Sequence, residues 1–565
     1  MLQIITGLAG PLWDQAARTL KASYDQGRQS LLLVPDQMTL QAERDMFGAL
    51  ESKGFFRLQV LSPSRLATRV FDRLGRGERV MIDERGQAMT LARTIWSLRD
   101  ELRYYGSSRG RPGFVRKLAE AISEFKAAGL SARDLMQWLD AQQEEHSKLR
   151  DLAALYEAYE QSMAGQLADR EDRDFEMLRR LEAGRLFAGH DVVVHGFDLL
   201  TPPLIRLICV LAGQADSLMV TLVTDREADP DGSAFGPVHR SVSHLQEDLD
   251  ALGLPWSQRS LPARPQPRPA ALEHLRRQLL RLRPMPFEGF PEGLRLYAGK
   301  TPHEEVRRVA QLIHDQLSRG DDPRGIAVYY ARDSYAALLP GVLRDYGIPH
   351  FVADKQPVLA QALVRCLLDA LRCIQNAAWR PADVYSYLKS PYSPLTWPEA
   401  WQLENYGRAY GIRGRMWTRA FTRGREEERQ AAEELRRHAI TPVDRMREGL
   451  FKARSAAASI QAALQFLEDI QAEQTVLALD AQLQAQGLLE EAQRERQVWE
   501  QLMGLFEQMD QLLGAQRIPL GRFAEWLEAG LSMTTLSAVP PLQHSVQAGA
   551  LGQLMAREPH SVYIL

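Results

Sequence analysis

The sequence predicts an α/β protein made of two lobes with large helical insertions. One observation is the order of short apolar strand, glycine-bearing turn and amphipathic helix at the start of the chain, which returns after residue 292. The other is that apolar residues recur three or four positions apart in long stretches after each of these segments, as in helices. We expect a first lobe in residues 1–82 and 186–254, helical insertions in 83–185 and 359–541, a linker in 255–291, and a second lobe in 292–358 that resumes at about 542–565.

The composition is typical of a globular protein. The 565 residues are 45% hydrophobic and 25% charged, and the net charge of −3 provides no overall attraction to nucleic acid. Any nucleic-acid contact must therefore come from a local surface. The sequence has no apolar run of about 18 residues and no basic-then-apolar leader, so we expect a cytoplasmic chain without membrane contact. Cys209, Cys366 and Cys373 are too dispersed to predict a zinc site or a disulfide framework.

The amino-terminal strand, turn and helix follow the order found in nucleotide-binding domains. A working phosphate loop needs G-x-x-x-x-G-K-[ST], in which the lysine reaches the outer phosphates and the hydroxyl binds magnesium. Counting from Gly7, this chain has Leu12 at the second glycine, Trp13 at the lysine and Asp14 at the hydroxyl. Two interpretations remain open: a phosphate loop that has lost its chemistry, or an ordinary strand-to-helix turn between Gly7 and Gly10.

Polar residues follow two apolar runs that we predict to be buried parallel strands, SLLLVP and residues 58–61. Open α/β sheets bind ligands beyond the carboxyl ends of their strands, and amide, hydroxyl and guanidinium groups contact bases and phosphates. We therefore predict one ligand-binding rim, formed by Gln37, Thr39, Ser62, Ser64 and Arg65. The alternative is that Asp36 and Ser62 cap the helices that follow.

Residues 83–185 have helical periodicity, with Gly129 ending one helix and Ser131 capping the next. The aromatic residues of this block either stack on bases or fill a core; they are Trp96, Tyr104, Tyr105 and Phe125. The apolar strand at 192–194 corresponds to the one that ends in a magnesium-binding aspartate in nucleotide hydrolases. Here that position is His195, for which we favour a structural role.

Proline-rich residues 255–291 predict a semi-rigid linker. The arginines in the second half of this segment form either a phosphate track or a solvated helix face; they are Arg276, Arg277, Arg281 and Arg283. Beyond them LRLYAG predicts a strand, and Thr301 with Glu304 predicts a capping box. The final HSVYIL is typical of the start of a buried strand, so we expect the natural chain to continue.

Several segments, in order along nearly the whole chain, resemble the AddB subunit of the bacterial AddAB helicase-nuclease. They are LVPDQMT, SPSRLA, VVHGFDLLTPP, GIAVYYARDSY with YGIPHFVADK, and LENYGRAYGIRGRMWT. The resemblance implies two RecA-like lobes of the superfamily 1 helicase type with helical insertions. It also implies a heterodimer with an AddA-type helicase-nuclease subunit that processes single- and double-stranded DNA ends for recombinational repair. Members of this family bind single-stranded DNA and scan it for the Chi signal.

The resemblance also carries site residues over. The family's Chi-reading surface maps onto Gln37, Thr39, Arg65 and Phe197. We add Ser64, from the rim, and Lys355, at the end of a second-lobe strand, as DNA-binding residues.

The chain departs from the family in three places. Pro63 and Thr68 stand where aromatic residues are usual, so the recognised signal is expected to differ or to be lost. Many members keep G-x-x-G-S-G-K-T where this chain has GLAGPLWD, which implies a degenerate nucleotide loop, Gly7, Gly10, Trp13 and Asp14. These residues also argue against the magnesium binding of the family, because Asp14 stands at the position of the hydroxyl and His195 at the position of the aspartate.

No cofactor is expected in this chain. The family's iron–sulphur cluster is held by four cysteines of a carboxy-terminal nuclease domain, which would lie beyond Leu565, and none of the three cysteines here matches those ligands. Three functions remain: a DNA-binding helicase-like subunit whose own ATP site is inactive, an active ATP-driven DNA helicase, and a non-catalytic scaffold.

Overall fold

The computed structural model describes residues 1–51, 54–75, 77, 79–108, 111–142, 146–225, 227–230, 232, 234–262, 268–353, 356–375, 379–536, 544–552 and 559–565. The chain forms two compact units. Unit 1 comprises Met1–Met81, Ile122–Asp134 and Met163–Leu296, and unit 2 comprises Ile82–Ala121, Leu135–Ser162 and Tyr297–Leu565. The predicted helical insertion 83–185 is thus divided between the two units.

The elements up to residue 278 alternate between short strands and helices. In chain order they are β1 Leu2–Gly7, α1 Ala9–Asp25, β2 Gln29–Leu33, α2 Thr39–Ala49, β3 Leu58–Leu61, α3 Pro63–Leu74, β4 Val80–Met81, α4 Glu84–Ser97, α5 Pro112–Ala128, α6 Ala132–Asp140, α7 Ser147–Met163, β5 Leu167–Ala168, α8 Arg170–Gly184, β6 His190–Val194, α9 Pro202–Ala212, β7 Ser217–Val223, α10 Gly236–Ala251, β8 Trp256–Ser260 and α11 Ala270–Gln278.

The remaining elements are mostly helices. They are α12 Pro302–Ser318, β9 Ile326–Tyr330, α13 Ser334–Asp345, β10 His350–Ala353, β11 Gln356–Pro357, α14 Ala362–Ile374, α15 Pro381–Leu388, α16 Trp397–Ala409, α17 Glu426–Lys452, α18 Ala456–Asp469, α19 Ala472–Ala485, α20 Leu489–Leu513, α21 Leu520–Ser532, β12 Thr535–Leu536, β13 Val546–Ala550 and β14 Ser561–Ile564.

Unit 1 is built on a six-stranded parallel sheet in the order β3-β2-β6-β7-β1-β8. Leu32 of β2 lies between Val60 of β3 and Val193 of β6, and all three are buried. The apolar runs form parallel strands because helices cover both faces of the sheet. Leu31 and Leu33 join a cluster with α3, α8, α9 and α10, whereas Leu32 points into a second cluster with α1 and α2. The predicted α/β class is confirmed.

β8 lies within the predicted linker and differs from it. Its residues pair in parallel with β1, so that Leu2 faces Trp256 and Ile4 faces Gln258. The run WSQRS is half-exposed to exposed, as expected for an edge strand, and therefore lacks the apolar signal of its neighbours. The arginines of the second half of the segment are not a free track: Arg276 pairs with Asp225 and Glu273, and Arg277 pairs with Glu273.

The predicted helix ends in the 83–185 block are confirmed. α5 stops before Gly129, whose φ of +77° is the left-handed conformation that glycine adopts most readily. Ser131 then accepts a hydrogen bond from the amide of Asp134 at 3.2 Å, which caps α6. The strands β4 and β5 pair in parallel.

Unit 2 contains a four-stranded parallel sheet in the order β10-β13-β9-β14. β13 and β14, near the end of the sequence, therefore flank β9 of the predicted second lobe. β14 differs from a buried strand because its side chains are alternately half-buried and exposed at the sheet edge. The strand predicted for LRLYAG is wrong: Leu296 is 97% exposed, and residues 294–299 form no strand with any part of the chain that the structure describes. Thr301 caps α12 as predicted, but Glu304 accepts from the amide of Lys300, so the box is incomplete.

The largest core of unit 2 is helical. It joins residues of α14–α18, α20 and α21 around fully buried Trp379, Trp417 and Tyr387. Short strands β11 and β12 pair antiparallel beside it. Within the described residues, no helix combines the length and apolar character that crossing a bilayer requires.

Candidate nucleic-acid interface

The carboxyl ends of β2 and β3 are joined by side-chain hydrogen bonds. The Ser62 hydroxyl accepts from the amide of Arg65 and thereby caps α3, as predicted. Ser62 and Ser64 share a hydrogen bond of 2.9 Å, and Ser64 donates to the Asp36 carboxylate. The alternative prediction that Asp36 caps a helix is wrong, because its carboxylate bonds to Ser64 and neither Asp36–Met38 nor α2 has a side-chain cap. The two rims therefore form one surface.

The loop after β6 joins the same surface through a glycine. Gly196 has a φ of +82°, and a Cβ at this position would lie 2.5 Å from the sulphur of Met38. The amide of His195 donates to the carbonyl oxygen of Leu33 at 2.9 Å. Only a residue without a side chain lets the β6 loop pass this close to the β2 loop.

These loops, together with α8 and α9, enclose a cavity of about 470 Å³, which lies in the range of small-ligand pockets, about 300–1,000 Å³. Its walls combine apolar, aromatic and charged groups: Pro35, Asp36, Gln37, Pro63, Ala127, Arg170, Glu171, Asp174, Phe175, Met177, Leu178, Phe197, Leu199, Thr201, Pro203, Leu204, Arg206 and Leu207. We call this space the rim cavity. Of the predicted DNA-binding residues, it brings Gln37 and Phe197 together.

Two arginines and three carboxylates line the rim cavity: Arg170 and Arg206, and Asp36, Glu171 and Asp174. Arg206 stacks its guanidinium over the Phe175 ring at 5.4 Å, and within the described part of the chain neither Arg206 nor Arg170 has an ion-pair partner. Burial raises the pKa of Asp174 despite Arg173 and Arg170, and burial together with Asp169 raises the pKa of Glu171.

Other predicted residues lie outside the cavity wall. Thr39 is 6% exposed, and its hydroxyl donates to the carbonyl oxygen of Asp36, so it stabilises the loop. Arg65 lies in the first turn of α3 with its side chain 56% exposed, 3.5 Å from Glu43. Ser64 is engaged with Asp36. Lys355 lies outside the described residues.

The sequence reasoning missed Arg170, Phe175 and Arg206. A signal existed for Arg206, because it is the one charged residue of the apolar helix PPLIRLICVLA. Arg170 and Phe175 sit in the charged first turns of α8, where a solvated face was the ordinary interpretation.

The turn predicted to be a degenerate nucleotide loop is very short. α1 begins at Ala9, so only Leu8 separates it from β1, and Gly10 and Trp13 already belong to the helix. The Trp13 ring packs against His195 with centroids 5.3 Å apart. His195 is 8% exposed and forms a 2.8 Å hydrogen bond with Thr221, and burial lowers the pKa of His195 to about 4.

These groups do not fit a magnesium–triphosphate. A neutral imidazole already bonded to Thr221 is a poor substitute for a carboxylate, and an indole cannot neutralise phosphate. The cysteines do not fit an iron–sulphur cluster either, since Cys209 lies on α9 and Cys366 and Cys373 lie on α14, all buried and free. In the ranges the structure describes, no group of three or more possible metal ligands occurs.

Comparison with known proteins finds a matching family model and several similar proteins. Residues 12–276 match the family model described as "ADDB, N-terminal". The chain is 27% identical to the B subunit of the ATP-dependent helicase/deoxyribonuclease of Alkaliphilus metalliredigens (strain QYMF), over 96% of this chain and 50% of that protein. It is 30% identical to proteins of the same name from Moorella thermoacetica (100% of this chain, 52% of that protein) and Heliobacterium modesticaldum (99% and 48%).

The chain spans about half the length of the curated relatives it matches. Similarity extends over nearly all of its own residues, well past the region that the family model covers. The resemblance to AddB seen in the sequence motifs is therefore confirmed: over nearly its whole length this chain is similar to the B subunits of ATP-dependent helicase/deoxyribonucleases.

Proposed function

We propose that this chain is the DNA-binding, helicase-like part of a heterodimeric helicase/deoxyribonuclease that processes double-strand breaks for recombinational repair. Its two sheet-containing units are taken as RecA-like lobes, and an AddA-type partner supplies the motor. In this proposal the chain binds single-stranded DNA at DNA ends and scans it for a Chi-like signal.

The observation that carries the proposal is the convergence of Gln37, Phe197 and Arg206 on the rim cavity at the carboxyl edge of a parallel sheet. An amide can hydrogen-bond a base edge, an aromatic ring can stack on the base, and a guanidinium can neutralise the adjoining phosphate. A cavity of about 470 Å³ has room for an unstacked nucleotide. Recognition of a single strand requires these three interactions and space for an unstacked base.

The proposal also holds that the chain's own ATP site is inactive. Its support is the Trp13–His195 contact, which occupies the position where a phosphate loop requires lysine and magnesium ligands. The alternative of an active ATP-driven helicase lacks those groups. The other alternative, a scaffold without a nucleic-acid role, leaves the paired rims and the arginines of the cavity without a purpose.

The test measures binding of a labelled oligothymidylate by fluorescence anisotropy at several salt concentrations. The double variant Phe197→Ala/Arg206→Ala is expected to weaken binding by about tenfold or more, because it removes a stacking platform and a phosphate contact. Arg259→Ala is the matched control: this exposed arginine lies on β8, at the opposite edge of the sheet from β3.

Far-UV circular dichroism verifies that each variant is folded, since Phe197 also contacts the core. Equal affinity of the double variant and the parent chain would contradict the assignment of the rim cavity. Binding that is absent, or that does not weaken with salt, would favour the scaffold.

A further inference from the structure

Unit 2 carries a strongly basic loop that the rim cavity does not involve. Between Glu404 and Glu426 the chain has no acidic residue and six arginines. Arg408 lies in the last turn of α16 and pairs with Glu404 at 2.7 Å. The other five belong to the connection to α17, residues 411–425, which we call the arginine loop: Arg413, Arg415, Arg419, Arg423 and Arg425.

The arginine loop alternates buried anchors with exposed cations. Ile412, Trp417 and Phe421 are at most 2% exposed, whereas all five loop arginines are exposed. Trp417 packs edge-on against Tyr385 at 6.0 Å and against Phe421 at 5.9 Å. The anchors hold the backbone, so the arginines project from a fixed support.

A buried ion pair on α17 holds the middle of the loop. Glu433 accepts from the amide of Phe421 at 3.0 Å and from Arg436 at 2.7 and 2.8 Å. Arg436 in turn donates to the carbonyl oxygen of Trp417 at 3.0 Å. Both charged side chains are 10% exposed, which makes this a preformed clamp on the loop.

The two ends of the loop return to the carboxyl end of α16. The Ile412 amide donates to the carbonyl oxygen of Gly407 at 2.8 Å, and Arg423 donates to that of Tyr410 at 2.8 Å. Gly424 has a φ of +96°, and a Cβ there would meet the Tyr410 ring at 2.8 Å, so glycine permits the return.

Most of this positive charge is not neutralised within the protein. Among the described residues, Arg413, Arg415 and Arg419 have no ion-pair partner. Arg425 is 87% exposed and lies 4.0 Å from Glu428. A stabilising surface network would place carboxylates between these cations, as α17 does with its own arginines.

Two exposed indoles lie along the helix that leads to the loop. Trp397 and Trp401 are each 55% exposed and contact each other with ring centroids 5.9 Å apart. At about 100° per residue, positions 397, 401 and 408 share one face of α16, so the indoles align with Arg408. An aromatic pair followed by a row of guanidinium groups is the arrangement that tracks single-stranded nucleic acid.

We propose that the face of α16 bearing Trp397, Trp401 and Arg408, together with the arginine loop, is a second binding surface for single-stranded DNA. Bases stack on the indoles and phosphates lie on the arginines. The choice of DNA as the polyanion rests on the proposed function, whereas the surface itself rests on the exposure of these residues and on the charge of Arg413, Arg415 and Arg419, which have no ion-pair partner among the described residues. Stacking and phosphate contacts are tolerant of base sequence, because every base has a π-face and every nucleotide a phosphate.

The test compares the parent chain with the triple variant Arg413→Ala/Arg415→Ala/Arg419→Ala in oligothymidylate binding across a salt series. Losing three phosphate contacts is expected to reduce the slope of log K against log salt by about 2, at about 0.7 per contact. Trp401→Ala is expected to weaken binding by about tenfold with an unchanged slope, and Trp401→Phe to restore most of it. Arg307→Ala/Arg319→Ala/Arg365→Ala removes three exposed arginines as the matched control: Arg307 lies on α12, Arg319 directly follows that helix, and Arg365 lies on α14.

The outcomes separate this inference from the proposed function. A normal slope in the triple variant, with weakened binding in Phe197→Ala/Arg206→Ala, overturns the second surface alone. A reduced slope in the triple variant, with unchanged binding in Phe197→Ala/Arg206→Ala, supports the second surface and overturns the rim cavity. If the triple Arg→Ala variant loses binding to phosphatidylserine vesicles or to polyglutamate but keeps its affinity for DNA, the DNA assignment is also overturned. The triple Arg→Lys variant must retain most binding, since each lysine keeps the charge.

Discussion

The Trp13 indole and the His195 imidazole pack against each other with ring centroids 5.3 Å apart, at the end of a parallel sheet where related architectures hold a nucleotide. His195 is fastened by Thr221, and Trp13 lies in the first turns of α1. This contact places two aromatic rings at the position where a phosphate loop would need a lysine and a magnesium ligand.

Magnesium-ATP is expected to leave the melting temperature of the chain unchanged. A ligand at about 100 times its Kd would add about 2.7 kcal/mol to the stability of the native state, which differential scanning fluorimetry detects readily. Oligothymidylate serves as the positive control for ligand-induced stabilisation. A nucleotide-dependent rise in melting temperature would restore the active helicase as a candidate.

Acid is expected to destabilise unit 1 through His195. Its pKa falls from 6.5 to about 4 on folding, so the unfolded chain binds the proton first, and stability declines as the pH drops from 6.5 towards 4. The shift corresponds to about 3 kcal/mol. Hydrogen–deuterium exchange of β6 at falling pH measures this loss of stability. In His195→Gln the stability of β6 should depend less on pH. An identical pH profile in the variant would contradict this role of His195.

Arg65→Ala is expected to weaken single-strand binding or the Chi response without unfolding the chain. A guanidinium that contacts a base in bidentate fashion discriminates by about 1–3 kcal/mol. The exposed Arg73, in the last turn of the same helix, provides the control Arg73→Ala. If both variants bind alike, Arg65 is not part of the recognition surface.

Gly196→Ala is expected to destabilise unit 1 more than Gly189→Ala. Both glycines have a positive φ, +82° and +76°, so each alanine carries a similar backbone cost of about 1–2 kcal/mol. Only the Cβ at residue 196 meets another group, the Met38 side chain, because nothing lies within 4 Å at residue 189. Chemical denaturation measures the free energy of unfolding of the two variants. Equal losses of stability would mean that the Met38 side chain moves aside freely.

Glu433→Gln is expected to loosen the arginine loop. Breaking a buried pair by removing one charge typically costs about 3–5 kcal/mol, because Arg436 is left buried and uncompensated. Burial opposes ionisation of Glu433, yet hydrogen bonds from Arg436 and the Phe421 amide lower the pKa of Glu433 to about 2. The stabilisation is therefore full above the ordinary pKa of 4.5 and is lost as the pH falls towards 2.

Faster hydrogen exchange of residues 411–425 in Glu433→Gln at neutral pH is the measurement, and the exposed neighbour substitution Glu434→Gln is its control. Unchanged protection of the loop would show that the aromatic anchors hold it without the ion pair.

Local chemistry along the chain determined the α/β class, most of the sheet of unit 1, the glycine and serine helix ends, and the loss of the lysine at Trp13. These features are readable because apolar runs such as Leu31–Leu33 are continuous where both faces are buried, and because caps act within a few residues. The absence of a phosphate-loop lysine likewise needs only residue identities.

Only the tertiary structure decided which of these residues meet. The polar strand β8 pairs with β1 at the edge of the sheet, whereas the more apolar LRLYAG forms no strand. Gln37 and Phe197 become neighbours of Arg170 and Arg206 through packing of α8 and α9 on the sheet, and Arg413 and Arg415 become an exposed row because Trp417 and Phe421 are buried beneath them. Contacts between residues far apart in sequence depend on how helices and strands pack, and no local pattern contains that information.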